Sequence, residues 1–217
     1  MAHDERKRQK KLERKKAKRR EAMQQTEGFA GDWPSNPDTQ ARLPVYDCQV
    51  SSRLFESGIG PAVVARTLSN GYIAVGVFLL DVYCLGIKNA YFRLMAPAEY
   101  REQLRRMRQT SPMEHKQPSY AKKLVEAAEA WARGLGFTPH DDYHDAKRVL
   151  AGIDAGECDE QFVFGQNGQP HYISGPFDKP FRVTQIMQTL ARTCGQGNFH
   201  YTIAVDPKQS VMLESEE

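Results

Sequence analysis

The sequence predicts an α+β protein on three observations. The first half holds a run of extended, β-branched segments, an Asn-Gly turn joins two of them, and later segments carry apolar residues at helical spacing. Strands come first, helices follow, and both mix near the end. A regularly alternating α/β chain would interleave them throughout.

VYDCQVSSRLF, from Val45, begins extended, and Gly58 with Gly60 marks a turn. PAVVARTL and YIAVGVFLLDVYCLGI then flank Ser69-Asn70-Gly71. Asn and Gly tolerate the positive φ that tight hairpin turns demand, so this is the strongest hairpin signal in the chain. The second run is long for one strand and is expected to bend or break at Gly76 or Gly86. NAYFRLM adds a third strand, which makes a mainly antiparallel meander.

A helix is expected from Pro97, a suitable first-turn residue, through Tyr100, Leu104 and Met107 at spacings of four and three. The polar TSPMEHKQPS stretch interrupts it. From Tyr120, a broad apolar face of Ala121, Leu124, Val125, Ala128, Trp131, Ala132 and Leu135 predicts a main wall of the core with Trp131 buried in it, ending near Gly134 or Gly136. A short helix is expected around Asp142 to Leu150. QFVF and PHYIS flank Gly165 to Gly168 as a second hairpin. Val183, Ile186, Met187, Leu190, Ala191 and Cys194 make a final helical stripe, and FHYTIAV reads as a closing strand.

This divides the chain into a basic arm (1–25), a flexible linker (26–44) rich in Gly and Pro, an α+β domain (45–206) and an acidic C-terminal tail (207–217). With 217 residues, 40% hydrophobic and 26% charged, the composition is that of a soluble globular protein. It excludes a wholly disordered chain, a collagen-like repeat and a small disulfide scaffold. Residues 6–20 offer only Leu12 and Ala17 as apolar groups, too few for a secretory h-region. Asp81 interrupts the longest apolar stretch, Tyr72 to Ile87, which falls short of a membrane span. Cys48, Cys84, Cys158 and Cys194 form no C-x-x-C pair. The expectation is a cytoplasmic protein with free thiols, Cys84 and Cys194 buried, and no membrane partner.

Charge is the most informative feature. Residues 1–22 hold eleven Lys or Arg against four Asp or Glu, a local charge of +7, which leaves −4 on residues 23–217 of a chain at +3 overall. The cations are Arg6, Lys7, Arg8, Lys10, Lys11, Arg14, Lys15, Lys16, Lys18, Arg19 and Arg20. The segment is rich in helix formers but has no core-facing stripe, so it reads as frayed or disordered when alone in water. A polyanion would neutralise it, with affinity set by counterion release and little sequence preference. Without interleaved aromatics, base stacking is not its mode.

GPAVVARTLSNGYIAVGVFLLDVYCLGIKNAYF, YAKKLVEAAEAWARGLGFTPHDDYHDAK and HYISGPFDK resemble a family of uncharacterised bacterial proteins, most distinctively in the FLLDVYCLGIKNA and LGFTPHDDY phrases. The resemblance covers most of residues 45–205. It implies a bacterial, cytoplasmic origin and one coherent body, and it supplies no activity, cofactor or catalytic residue.

The sharpest chemical cluster is Pro139 to Asp145. His140 and His144 are four apart, so a helix spanning both would set the two imidazoles on one face, where Asp141 or Asp145 could complete a divalent metal site. Against this, Pro139 makes His140 a helix-start residue, and Asp141 or Asp142 serves equally well as an N-cap. Asp81 is costly to bury in an apolar run unless it is paired or metal-bound. It could join Asp141, Asp142 or Asp145 in a two-metal nuclease site, with Asp81 and Asp142 as the candidate catalytic carboxylates. Alternatively it faces solvent or pairs with Lys88 or Arg93. Neither a Rossmann nor a P-loop glycine pattern occurs. A nucleophilic Cys48 or Cys84 would need a base such as His171 or His200, and buried free thiols are the simpler reading. Ser174-Gly175-Pro176 and Gly195-Gln196-Gly197-Asn198 could cradle an anion, though turn chemistry accounts for both.

Two functions therefore stand as expectations. The first is a nucleic-acid- or ribosome-associated protein whose arm contacts RNA or DNA phosphates while the body meets a further, protein partner. The alternative is a metal-dependent hydrolase or nuclease built on Asp81 and residues 140–145.

Overall fold

The computed structural model describes residues 33–175 and 178–203, so the basic arm and the acidic tail lie outside the described residues. The fold is α+β, as the order of strand and helix patterns predicts. Strands β1 (Val45–Ser51), β2 (Ile59–Thr67), β3 (Ile73–Asp81), β4 (Gly86–Met95) and β5 (Met113–His115) form one antiparallel sheet in the order β4-β3-β2-β1-β5. The Asn-Gly signal holds: Gly71 takes φ 82°, Leu68 N–H donates to Tyr72 O at 2.8 Å, and Tyr72 N–H donates to Asn70 Oδ1 at 3.0 Å. The long apolar run breaks after Asp81, and Gly86 opens β4. A Cβ on Gly86, at φ 63°, would lie 2.5 Å from the Ala128 carbonyl oxygen, so sheet and helix meet this closely only because the residue is glycine. Gly76 stays inside β3, beneath Val149.

Both faces of the sheet are covered, which is why β3 is apolar at nearly every position rather than alternating. On one face, Ala62, Val64, Phe78 and Leu80 meet α4 (Pro118–Gly134) through Ala121, Leu124, Val125 and Ala128. The short helix α5 (Tyr143–Ala146) and the 3-10 turn Lys147–Leu150 complete that layer. Leu124 and Val125 are fully buried, each worth roughly 1.5–3 kcal/mol over an exposed side chain. On the other face, Val63, Ala65, Val75 and Val77 are closed by Tyr100 and Leu104 of α3 (Pro97–Thr110). Helix α6 (Pro180–Cys194) lays Ile186 and Leu190 over Cys84, Leu85, Phe137 and Tyr172. Among the described residues, no helix is long and apolar enough to cross a membrane.

Four local expectations are corrected. Trp131 is only half-buried, stacked at 6.0 Å on Phe164, so Leu124 and Ala128 rather than the indole form the wall. The polar break after α3 contains β5, whose three residues pair with Gln49 to Ser51 of β1. QFVF is not a strand: Phe162 stacks on Phe55 and meets Tyr120 edge-on, and Phe164 meets Phe55 edge-on. A tight turn does form at Gln166–Gln169, but β6 (His171–Ile173) pairs in parallel with the closing strand β7 (His200–Thr202).

The chain before Val45 is also built, not a free linker, from Trp33 onward. Helix α1 (Pro37–Arg42) is capped by Asn36, whose Oδ1 accepts from Asp38 N–H at 2.8 Å. The side chain of Gln40, 2% exposed, donates to Pro34 O at 2.6 Å. Trp33 packs on Phe92 of β4 with ring centroids 5.1 Å apart.

What fastens this strap is Arg66. It lies on β2, 2% exposed, and makes no ion pair with a described residue. Its guanidinium donates to Val149 O at 2.6 Å, to Ala41 O at 3.4 Å, and to Leu43 O and Ala151 O. Burial lowers its pKa, yet a guanidinium stays charged, so four carbonyl dipoles do the work of a counter-ion. Replacing Arg66 by Met would keep the bulk and leave those carbonyls without a donor, at an expected cost of about 3–5 kcal/mol. Arg66→Lys should recover little, because a compact ammonium cannot fan out to the same set. Urea unfolding monitored by circular dichroism measures both. A loss under about 1 kcal/mol for Arg66→Met would show that the strap is held by other contacts.

Candidate functional site

Asp81 ends β3 and is 6% exposed. Its Oδ1 accepts from Cys84 N–H at 2.9 Å, so the carboxylate closes the turn into β4 instead of facing solvent. Burial pushes its pKa up to about 6, against the opposing pull of the Cys84, Leu85 and Tyr83 amides and of the Lys88 charge. Arg93 takes no part: its guanidinium lies over the Tyr91 ring at 5.8 Å.

The 140–145 residues are placed elsewhere. His140 N–H donates to Ile87 O at 3.1 Å along the outer side of β4, and His140 Nδ1 accepts from Asp142 N–H at 3.2 Å. Helix α5 starts only at Tyr143, so His140 and His144 do not share a helical face. His144 and Asp145 are exposed, Asp145 lying 3.8 Å from Arg148, and Asp141 is exposed as well. Asp142 occupies the cap position but makes no side-chain capping bond. Alternation along β3 turns Asp81 to the face opposite Phe78, the residue that meets Tyr143 of α5 at 6.1 Å. The carboxylates of the two-metal reading are thus not gathered. Among the described residues, no group of three or more His, Cys, Asp or Glu side chains could hold a metal ion.

The thiols and turns follow the same pattern. All four cysteines are free: Cys48, Cys84 and Cys158 are buried, while Cys194 is half-buried, because its position at the end of α6 lets the stripe run out of cover. Burial and the neighbouring Asp47 push the Cys48 thiol up to about 12, and burial with Asp81 raises Cys84 further, the opposite of an activated nucleophile. His171 stacks on Tyr83 and bonds Thr202 Oγ1 at 2.9 Å, while His200 bonds Gln169 at 2.7 Å. The Gly175 amide is filled by the chain's own Asp178 Oδ2 at 2.8 Å, and Asn198 Nδ2 donates to Cys194 O at 2.9 Å to close α6.

The concave feature that sequence reasoning missed lies between the start of β4, the Phe137–Asp141 connector and α6. This groove of about 360 Å³ has a floor of Leu85, Ile87, Phe137 and Ile186 and a rim of Lys88, His140, Asp141, Asp178 and Arg182. A neighbouring groove of about 420 Å³ continues along α6 past Arg182 to Arg192. Asp178 Oδ2 accepts from Tyr172 OH at 2.8 Å and lies 3.5 Å from Lys88 Nζ. Burial works against its charge, but the Gly175 amide, the Tyr172 hydroxyl and Lys88 outweigh that and hold its pKa below the ordinary value. The arrangement can hold a small polar group, and no nucleophile–base pair faces it. The residues come from segments about 90 positions apart, so the only sequence signal was the Gly175-to-Asp178 spacing of a turn. Comparison with protein-family models, with curated proteins and with solved structures finds no match.

Asp81 sets a pH dependence. Its folded pKa of about 6 lies above the ordinary 3.8, so the folded state holds this proton more tightly than the unfolded chain. Its contribution to stability is complete below pH 3.8 and is lost as pH rises through 6. Asp81→Asn keeps an acceptor for the Cys84 amide and abolishes the titration. Relative to the parent it should gain on the order of 2–3 kcal/mol between about pH 3.8 and neutral pH. Urea unfolding of both proteins across that range tests this. A stability difference that stays flat with pH would mean that Asp81 titrates as an ordinary carboxylate.

Proposed function

We propose that this protein associates with nucleic acid, its basic arm contacting RNA or DNA phosphates and its body carrying the arm to a fixed place. The observation that carries the reading is the charge partition, +7 on residues 1–22 against −4 on the rest. A tail kept only for solubility needs no such excess of one sign. Dense Lys and Arg on a polyanion release condensed counterions, which is an entropic, salt-sensitive and sequence-tolerant source of affinity. The mildly acidic remainder opposes wrapping of the whole surface, so contact concentrates where cations gather. Trp33, seated against Phe92, ties the chain that follows the arm to the β4 edge. The metal-dependent hydrolase reading has no gathered carboxylate set among the described residues to favour it.

Deleting residues 1–25 tests the proposal. The truncated chain should keep the circular dichroism of the body, lose at least about a hundredfold in affinity for a mixed-sequence RNA at moderate salt, and lose most of the steepness of log K against log salt. Scrambling the order of Lys and Arg in the arm should change little, since point charges rather than a base code act. Retention of the same affinity and salt slope after deletion would contradict the proposal.

A further inference from the structure

Helix α3 packs on one face of the sheet, pinned by Tyr100 and Leu104 with Met107 alongside. Its outer side carries Arg101, Arg105, Arg106 and Arg108, all exposed. Arg101, Arg105 and Arg108 follow at spacings of four and three and so share one stripe, with about 6 Å of rise between the first two. Arg93 joins them from the edge strand: it lies over the Tyr91 ring, and Tyr91 OH accepts from Gln103 of α3 at 2.5 Å. Against these five arginines stand Glu99 and Glu102 on the helix and Asp47, which accepts from Tyr100 OH at 2.7 Å, a local charge of +2 on a body that is otherwise acidic.

The pairing of these groups leaves them available. Glu102 accepts from Arg105 at 2.8 Å and from Arg106 at 2.7 Å, and these bonds hold its carboxyl down to about 2. Both arginines are nevertheless more than 60% exposed, so the pairs are solvated and easily exchanged for a phosphate. Arg108 donates to Gln49 at 3.1 Å, and Gln49 in turn donates to Asp47 at 2.8 Å, so Arg108 reaches that carboxylate only through a neutral amide. Arg101 makes no ion pair with a described residue. Guanidinium groups match phosphate oxygens two at a time, which a lysine surface would not do as well. The first described residue, Trp33, lies against Phe92, and Arg93, the next residue along β4, turns to the α3 side.

We infer that the arginine face of α3, with Arg93 beside it, is the body's own docking surface for a nucleic-acid phosphate backbone, and that arm and helix hold one strand or duplex together. This rests on the nucleic-acid reading above and says where on the body the polyanion lies. Once the arm is bound, the helix meets phosphates at a high effective concentration, so a surface too weak to bind alone adds to the whole.

The test uses fluorescence anisotropy of a labelled 30-base-pair DNA duplex with the full chain over a series of salt concentrations. Changing Arg101, Arg105 and Arg106 together to Gln should flatten the slope of log K against log salt by about 2–3 and weaken binding about tenfold or more. The same three positions changed to Lys should restore most of the slope. Glu102→Gln, which releases Arg105 and Arg106, should strengthen binding severalfold, a gain that misfolding cannot mimic. If deletion of the arm acts as expected but the Gln triple and Glu102→Gln both leave affinity and slope unchanged, the α3 surface is excluded and the arm reading stands. If the full chain binds neither this duplex nor a mixed-sequence RNA, or arm deletion changes nothing, the nucleic-acid reading itself falls and this inference with it.

Discussion

A single buried cation organises the entry of the chain into the fold. Arg66 stands near the end of β2, buried on a sheet face where an apolar residue would be the ordinary occupant. Its guanidinium reaches carbonyl oxygens of α1, of the segment leading into β1, and of the 3-10 turn after α5. Taking such a charge out of water is costly, and here it is offset by convergent backbone dipoles instead of by a carboxylate. The arrangement is geometrically demanding. Strap, sheet and the turn that holds Val149 over Gly76 must all be in register before the cation is satisfied.

That constraint bears on function through position. With the strap fixed, Arg148 lies over the Trp33 ring at 5.7 Å and also donates to Pro34 O at 3.3 Å. The start of the described chain is thereby held at the edge of β4. Electrostatics divide the molecule in the same way: a dense cationic arm, a body acidic on balance, and one helix whose outward face reverses that sign. The polar groove at Lys88 and Arg182 lies by another part of β4 and is largely self-neutralised, Asp178 being engaged by Lys88, Tyr172 and Gly175.

The sequence was most legible where a local rule and burial agree. Ser69-Asn70-Gly71 between two apolar runs specified the central hairpin, Pro97 stands at the first turn of α3, and the stripe from Ala121 to Ala132 named the wall of the core, although α4 opens at Pro118 rather than at Tyr120. It was least legible where partners are distant. Three-residue strands such as β5 and β7 are too short to show a period, and their pairing is decided by tertiary placement. Residues 33–44 read as linker because Pro34, Pro37 and Pro44 punctuate the stretch, yet its capped turn of helix is held by side chains that no local pattern reveals. For the site, the oddity of Asp81 in an apolar run was visible, but the run left solvent exposure, an ion pair and burial open, and its buried role as a turn acceptor depends on the Cys84 amide. The His140–His144 spacing misled because periodicity assumes one helix, and α5 begins after His140.

The central claim is that nucleic acid is held by the arm and the α3 arginine face as one surface. The most direct measurement is the side-chain Nε–Hε spectrum of arginine in the full, isotopically labelled chain, recorded as a short DNA duplex is added. The account predicts that the resonances of the arm arginines and of Arg93, Arg101, Arg105, Arg106 and Arg108 shift together with one titration curve, while buried Arg66 stays in place. Shifts confined to Arg182 and Arg192 along the groove, or none in any arginine, would contradict it.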